Sequence, residues 1–197
     1  MHPPRSRKEA ILQTATRFFS EKGFRDTSMS EIAKVTGVAD GTIFYHFKTK
    51  GELFLAVLKN FKESIIGELE AFEATAEFST GLDMVEGTIA FYFSLAERME
   101  ERFLLLHRHY PYKLAMDNPH CRKYLEEIYT CFINLFSQAI LQGQKDGSIR
   151  ELHSKKQALL LFTLVDGLVR LETYNLFKAG PLYNDLIDSC RYMLENR

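Results

Sequence analysis

The chain has 197 residues, of which 46% are hydrophobic and 26% charged, a balance that excludes a disordered or fibrous polymer and supplies a core without staples. The formal charge of −1 excludes a polybasic nucleic-acid binder as a whole, yet nine basic and five acidic residues up to Lys50 give that segment +4 and leave −5 for the remainder. A small basic head on an acidic body confines any polyanion contact to the head, within a screening length of about 10 Å.

Helical periodicity runs through the chain and strand alternation is nearly absent. Ile11, Leu12, Ala15, Phe18 and Phe19 fall on one face of a first helix, which Gly23 stops. Ser28 and Glu31 form a capping box ahead of a short helix carrying Ile32, Ala33 and Val35, which ends at Gly37. Asp40 is placed to cap a further short helix through Thr42, Ile43, Phe44 and Tyr45. Thr49 opens a long helix whose Leu53, Phe54, Val57, Leu58, Phe61, Ile65, Leu69 and Phe72 share a broad face. A loop over Phe78–Gly81 precedes a helix over Met84–Met99, and the apolar run Phe103–Leu106 leads to a break at Pro111. Asn118-Pro119 reads as a cap with proline at the first helical position. The helix beyond it presents Leu125, Ile128, Phe132, Leu135, Phe136 and Ala139, and stops at Asp146-Gly147. Ser154 is expected to cap a helix running to Ala179-Gly180, and a last helix after Pro181 carries Leu186, Ile187, Cys190, Met193 and Leu194.

The expectation is an all-α protein of about nine helices, without internal repeats or low-complexity tracts. Two domains are expected: residues 1–50 as a three-helix DNA-binding head, and residues 51–197 as a larger helical domain for effector binding and dimerisation. No run of 18 apolar residues exists and Met1–Arg5 contains no apolar signal region, so a cytoplasmic protein with no membrane partner is expected. Cys121, Cys131 and Cys190 are odd in number and widely spaced, as expected of reduced and mostly buried thiols.

Helix, glycine turn, helix over Ser28–Phe47 is the arrangement of a helix-turn-helix. Ala33 is small enough for two helices to meet, Gly37 permits a positive φ in the turn, and Val38, Ile43 and Phe47 bury the inner face. Ala39, Asp40, Thr42, Phe44, Tyr45 and His46 remain outward, short enough for a major groove. An ordinary helical hairpin has the same outline. The flanks tip the balance: Thr27, Tyr45, His46, Lys48 and Lys50 surround the second helix with donors suited to phosphates.

Residues 8–54 resemble the DNA-binding domain of the TetR family of bacterial transcriptional regulators. The matching stretches are Ile11–Phe19, Gly23-Phe24, Thr27-Ser28, Ile32-Ala33, Gly37-Val38, Gly41–Lys50 and Leu53-Phe54, and the Tyr45-His46-Phe47-x-x-Lys50 segment is the most specific of them. The stretch Gly143–Ile149 also resembles the turn ahead of the last two helices in that family. The resemblance implies phosphate contacts from Thr27, Tyr45, His46 and Lys50, with Lys48 beside them, and base reading by Ala39, Asp40, Gly41, Thr42 and Phe44. Phe44 stands where a tyrosine is common, which removes one hydroxyl. Asp40 stands where lysine or another polar residue is frequent, and suits either a helix cap or a cytosine amino group.

Regulators of this kind bind operator DNA as two-fold dimers. The helix from Ser154 is apolar nearly all round, so a homodimer interface is expected at Leu161, Leu164, Val165, Leu168, Ile187, Cys190 and Leu194, with Gly167 allowing close approach. A fully buried helix in a monomer is the other reading. A pocket for a small apolar or amphipathic effector is expected among Phe91, Tyr92, Phe103, His107, Tyr124, Tyr129, Phe132, Phe162, Asp166 and Tyr174. His107 and His109 stand two apart and diverge on a helix, so no metal site is expected, and no cofactor motif is present. No Gly-rich phosphate loop, His-Glu-x-x-His or nucleophile-base pair supports an enzyme. The function expected is a ligand-responsive transcriptional regulator, a repressor released from its operator by its effector.

Overall fold

The computed structural model describes residues 6–196, so the expectation made for Met1–Arg5 lies outside the described residues. Among the described residues it contains ten α-helices: α1 (Arg7–Glu21), α2 (Met29–Thr36), α3 (Asp40–His46), α4 (Lys50–Thr75), α5 (Gly81–Arg98), α6 (Glu100–His107), α7 (His109–Asp117), α8 (Pro119–Asp146), α9 (Ser154–Thr173) and α10 (Tyr183–Leu194). The fold is all-α, as the periodicity implied. The extra helix is α7. Pro111 lies in its first turn, where the missing N–H costs nothing, and the chain bends at Arg108 instead.

The caps explain most boundaries. The Ser28 hydroxyl accepts from the Glu31 N–H at 3.0 Å, Thr49 accepts from the Glu52 N–H at 3.1 Å, and the Asn118 carbonyl oxygen accepts from the Cys121 N–H at 2.9 Å. Gly23 and Gly37 close α1 and α2 with φ of 83° and 68°, angles that a side chain would strain. Two expectations are corrected. Ser154 is the first residue of α9 rather than its cap, which is His153. The same helix ends at Thr173, well before Ala179, because Asn175 takes a left-handed φ of 53° and turns the chain away. Leu176 and Phe177 follow it on the surface.

Two compact units emerge, Met1–Ile65 with Glu101–Glu127, and Ile66–Glu100 with Ile128–Arg197. They cut across a division at Lys50, because the head packs with the start of α4 and with α6 and α7. In the first unit Ile11, Ala15, Phe19, Ile32, Ala33, Ile43, Phe47 and Leu53 are buried. Each large apolar side chain so removed from water contributes about 1.5–3 kcal/mol before chain entropy is charged against it. Phe24 stacks on Tyr110 with ring centroids 3.9 Å apart, and the Phe54 ring meets both edge-on.

In the second unit the start of α5 lies against the end of α8. The Asp146 carboxylate accepts from the Gly81 N–H at 2.7 Å and from the Ser148 N–H at 3.0 Å, while the Ser148 hydroxyl accepts from the Leu82 N–H at 3.2 Å. Hydrogen bonds from the Ser148 side chain and backbone, then from Gly81, hold the Asp146 carboxyl below its ordinary value. The Gly143–Ile149 stretch is therefore a cap for another helix as well as a turn. Cys121 and Cys190 are buried and Cys131 is half-buried, all as free thiols. Burial pushes them up to about 11, about 11 and about 12 respectively, so they remain protonated at neutral pH.

Candidate nucleic-acid interface and small-molecule cavity

The first unit presents α3 as a ledge. Ile43 is fully buried beneath it and Phe47 nearly so, which turns the opposite edge outward. Ala39, Asp40, Gly41, Phe44 and Tyr45 are exposed and Thr42 and His46 half-exposed, with Tyr45 at 75%. The Tyr45 and His46 rings touch edge to face, centroids 5.3 Å apart. Ala39 is the N-cap, and Asp40 is the first helical residue and makes no side-chain cap bond. The capping role weighed for Asp40 is thus not realised, leaving its carboxylate at the positive end of the helix and open to a ligand.

The flanking donors divide. Lys48 is exposed, and its backbone N–H donates to the Glu52 carboxylate at 2.9 Å, which fixes the turn into α4. Lys50 is half-buried. Its ammonium donates to the Thr27 carbonyl at 2.8 Å and the Arg25 carbonyl at 3.1 Å, and lies 4.6 Å from the centroid of the Phe24 ring. Thr27 overturns the expectation made for it. Its side chain is buried, 1% exposed, and its hydroxyl donates to the Gly23 carbonyl at 2.8 Å, so it braces the loop and does not face DNA.

Sequence reading gave Arg108 no structural role. Its Nε donates to the Ser20 carbonyl at 2.6 Å and its Nη2 to the Glu21 carbonyl at 2.7 Å, completing the C-terminus of α1. Together with Tyr110 on Phe24 it ties the α6–α7 segment to the head. Arg108→Ala leaves both carbonyls to water and removes a charged donor from a helix C-terminus. We expect a loss of about 1 kcal/mol, read by thermal melting, with faster hydrogen exchange confined to the end of α1.

The ten expected pocket residues do not form one site. Phe103, His107 and Tyr124 belong to the first unit; Phe103 packs on Phe61, His107 is buried beside Phe103, and Lys62 lies over Tyr124. In the second unit Tyr92, Tyr129, Phe132, Phe162 and Asp166 do come together. The Tyr92 hydroxyl donates to the Asp166 carboxylate at 2.5 Å, with Phe132 and Phe162 edge-on to the Tyr92 ring and Tyr129 tilted against Phe162. They fill space as a core. Phe91 stacks on Phe72 instead, and Tyr174 is exposed.

The second unit does contain a cavity of about 540 Å³, lined by none of the ten. Its walls come from the end of α5 (Phe93, Ser94, Ala96, Glu97), the start of α6 (Glu100), the end of α9 (Val169, Glu172, Thr173) and the segment that follows (Asn175, Lys178, Gly180). Glu97 and Glu100, three apart, were a legible pair; the closure of the cavity by residues 175–180 depends on the early end of α9.

The expected dimer residues also divide. Leu161, Val165, Cys190 and Leu194 are buried within the chain itself and are core, not interface, because α9 and α10 turn that stripe inward. Leu164 is exposed and Leu168 and Ile187 half-exposed, joined by Leu159, Leu160 and Tyr192 on the surface.

A ledge of this form on a three-helix head defines a helix-turn-helix DNA-binding protein. Residues 11–57 match the family described as bacterial regulatory proteins, tetR family. Over 196 residues it is 26% identical to the fatty acid metabolism regulator protein of Bacillus subtilis, covering 99% of this chain and 95% of the relative. Among solved structures, a transcriptional regulator from Saccharomonospora viridis in complex with choline matches with a TM-score of 0.81 at 19% identity, covering 96% of this chain and 98% of the other. The regulator FadR from Bacillus subtilis in complex with stearoyl-CoA matches with a TM-score of 0.72 at 23% identity, over 92% of this chain and 96% of the other. These likenesses fix the fold. Among the described residues no helix is long and apolar enough to cross a membrane.

Proposed function

We propose that the chain is a ligand-responsive transcriptional regulator, a repressor that binds operator DNA as a homodimer and is released by a small apolar or amphipathic effector. The observation that carries this reading is the exposed edge of α3, with Ala39, Asp40, Gly41, Thr42 and Phe44 toward bases and Tyr45, His46, Lys48 and Lys50 toward phosphates. A relative named as a regulator of fatty acid metabolism and a neighbour solved with stearoyl-CoA support an effector of this kind, while the choline-bound neighbour shows that the fold also accepts a small cation.

The apolar face of α9 supports the homodimer. Leu160 and Leu164 are 52% and 44% exposed, and a Cβ added at the mid-helix Gly167 would meet nothing within 4 Å. Such a glycine weakens a helix by about 0.5–1 kcal/mol with no return inside the chain, which suits close approach of a twin helix. Two paired heads then dock in successive major grooves about 34–36 Å apart. An effector lowers DNA affinity only by its differential affinity for the free and bound states, so the duplex must weaken effector binding by the same factor.

The test uses a duplex enriched from a random-sequence library. Affinity is expected to fall steeply with salt, and Leu160→Glu with Leu164→Glu is expected to give monomers by sedimentation and to weaken duplex binding at least a hundredfold. Affinity flat in salt would make the protein a helical carrier rather than a regulator.

A further inference from the structure

We propose that the cavity between the ends of α5 and α9 binds an organic monocation with an apolar substituent. The proposal rests on the effector-responsive reading above and names the charge of the effector. The volume, about 540 Å³, lies in the range of small-molecule sites, about 300–1,000 Å³. The side-chain charges on its wall favour a cation. The exposed Glu97 and Glu100 and the half-buried Glu172 line it against the single ammonium of Lys178. Among the described residues none of these three carboxylates has an ion-pair partner, whereas Arg98, next to Glu97 in the chain, is committed to Glu68 at 2.8 Å.

The backbone adds to this. Both α5 and α9 end at the cavity, and the C-terminus of a helix carries the equivalent of about half a negative charge. Phe93 on the wall, its ring at 81° to that of Tyr183, supplies an aromatic surface of the kind that attracts cations, and buried Val169 gives an apolar floor. An anion such as a carboxylate or phosphate meets three carboxylates and two negative helix ends against one ammonium and the N-terminus of α6, so its charge is disfavoured here. A quaternary ammonium, which needs no hydrogen-bond acceptor and keeps its charge at every pH, matches best.

Isothermal titration calorimetry on the full chain at 0.15 M salt, with benzyltrimethylammonium as the probe and benzyl alcohol and benzoate as its neutral and anionic counterparts, tests the assignment. The cation is expected to bind at least tenfold more tightly than either. Glu97→Gln with Glu172→Gln should erase that preference, while Glu70→Gln with Glu151→Gln, an equal charge change at exposed positions away from the cavity, should leave it intact. Equal binding of benzyl alcohol, or equal loss in both double variants, overturns the proposal. The enriched duplex separates the two readings. A chain that binds it but discriminates no cation is a regulator without this site, and a chain that binds the cation by the stated pattern but no duplex retains the site and loses the regulator reading.

Discussion

Replacing Tyr45 and Lys48 together with alanine is expected to weaken duplex binding about a thousandfold at low salt while leaving the melting temperature unchanged. Tyr45 is 75% exposed and Lys48 is exposed, so neither supports the core. Each protomer then loses a phenolic and an ammonium donor, and a two-fold dimer loses four. At about 1 kcal/mol per donor the total is about 4 kcal/mol, which corresponds to about three orders of magnitude. Two lost ammonium contacts should also flatten the slope of log affinity against log salt by about 2. The proposed assignment puts these groups on sugar-phosphate rails, so the ratio between preferred and random duplexes should hold. Binding by electrophoretic shift across a salt series reads all three quantities. Loss of the ratio with little loss of affinity would move Tyr45 to the base-reading edge.

Lys50 is deliberately absent from that variant. Its ammonium holds the Arg25 and Thr27 carbonyls, so Lys50→Ala mixes a lost phosphate contact with a loosened loop. This marks where the sequence stopped being readable. The spacing of Ser28, Glu31, Gly37 and Thr49 specifies local hydrogen bonds, and those caps could be assigned without coordinates. Thr27 and Lys50 are set by contacts with residues four and more than twenty positions away, and a residue type alone does not say whether a hydroxyl faces DNA or a carbonyl behind it. The same holds for α9. Its all-round apolar pattern said that it is covered on most sides, but not that Leu161 and Val165 face inward and Leu160 and Leu164 outward. The cavity is not legible from aromatic residues. Those rings pack into the core, and the space lies where helix ends bring carboxylates together.

Gly81→Ala is expected to destabilise the chain by about 3 kcal/mol, through a mechanism that two companion glycines isolate. A Cβ at Gly81 would lie 2.0 Å from the Gly143 nitrogen, 2.3 Å from its Cα and 2.5 Å from the Ala139 carbonyl oxygen. All three are backbone atoms of α8, so relief requires moving a helix and stretching the bonds that Asp146 and Ser148 make to the first turn of α5. For a chain of this size that loss lowers the melting temperature by roughly 10 °C. At Gly87 the obstacle is the Phe78 ring at 2.3 Å, the far end of a side chain that can rotate, and the expected cost is about 1 kcal/mol. At Gly67, inside α4, an added Cβ meets nothing within 4 Å, and alanine should raise stability by about 0.5–1 kcal/mol through helix propensity. Melting the three variants side by side reads the order Gly67→Ala above the parent, Gly87→Ala slightly below it and Gly81→Ala far below. Equal melting of Gly81→Ala and the parent would mean that α5 and α8 do not meet backbone to backbone, and that the Gly143–Ile149 turn caps nothing but its own helix.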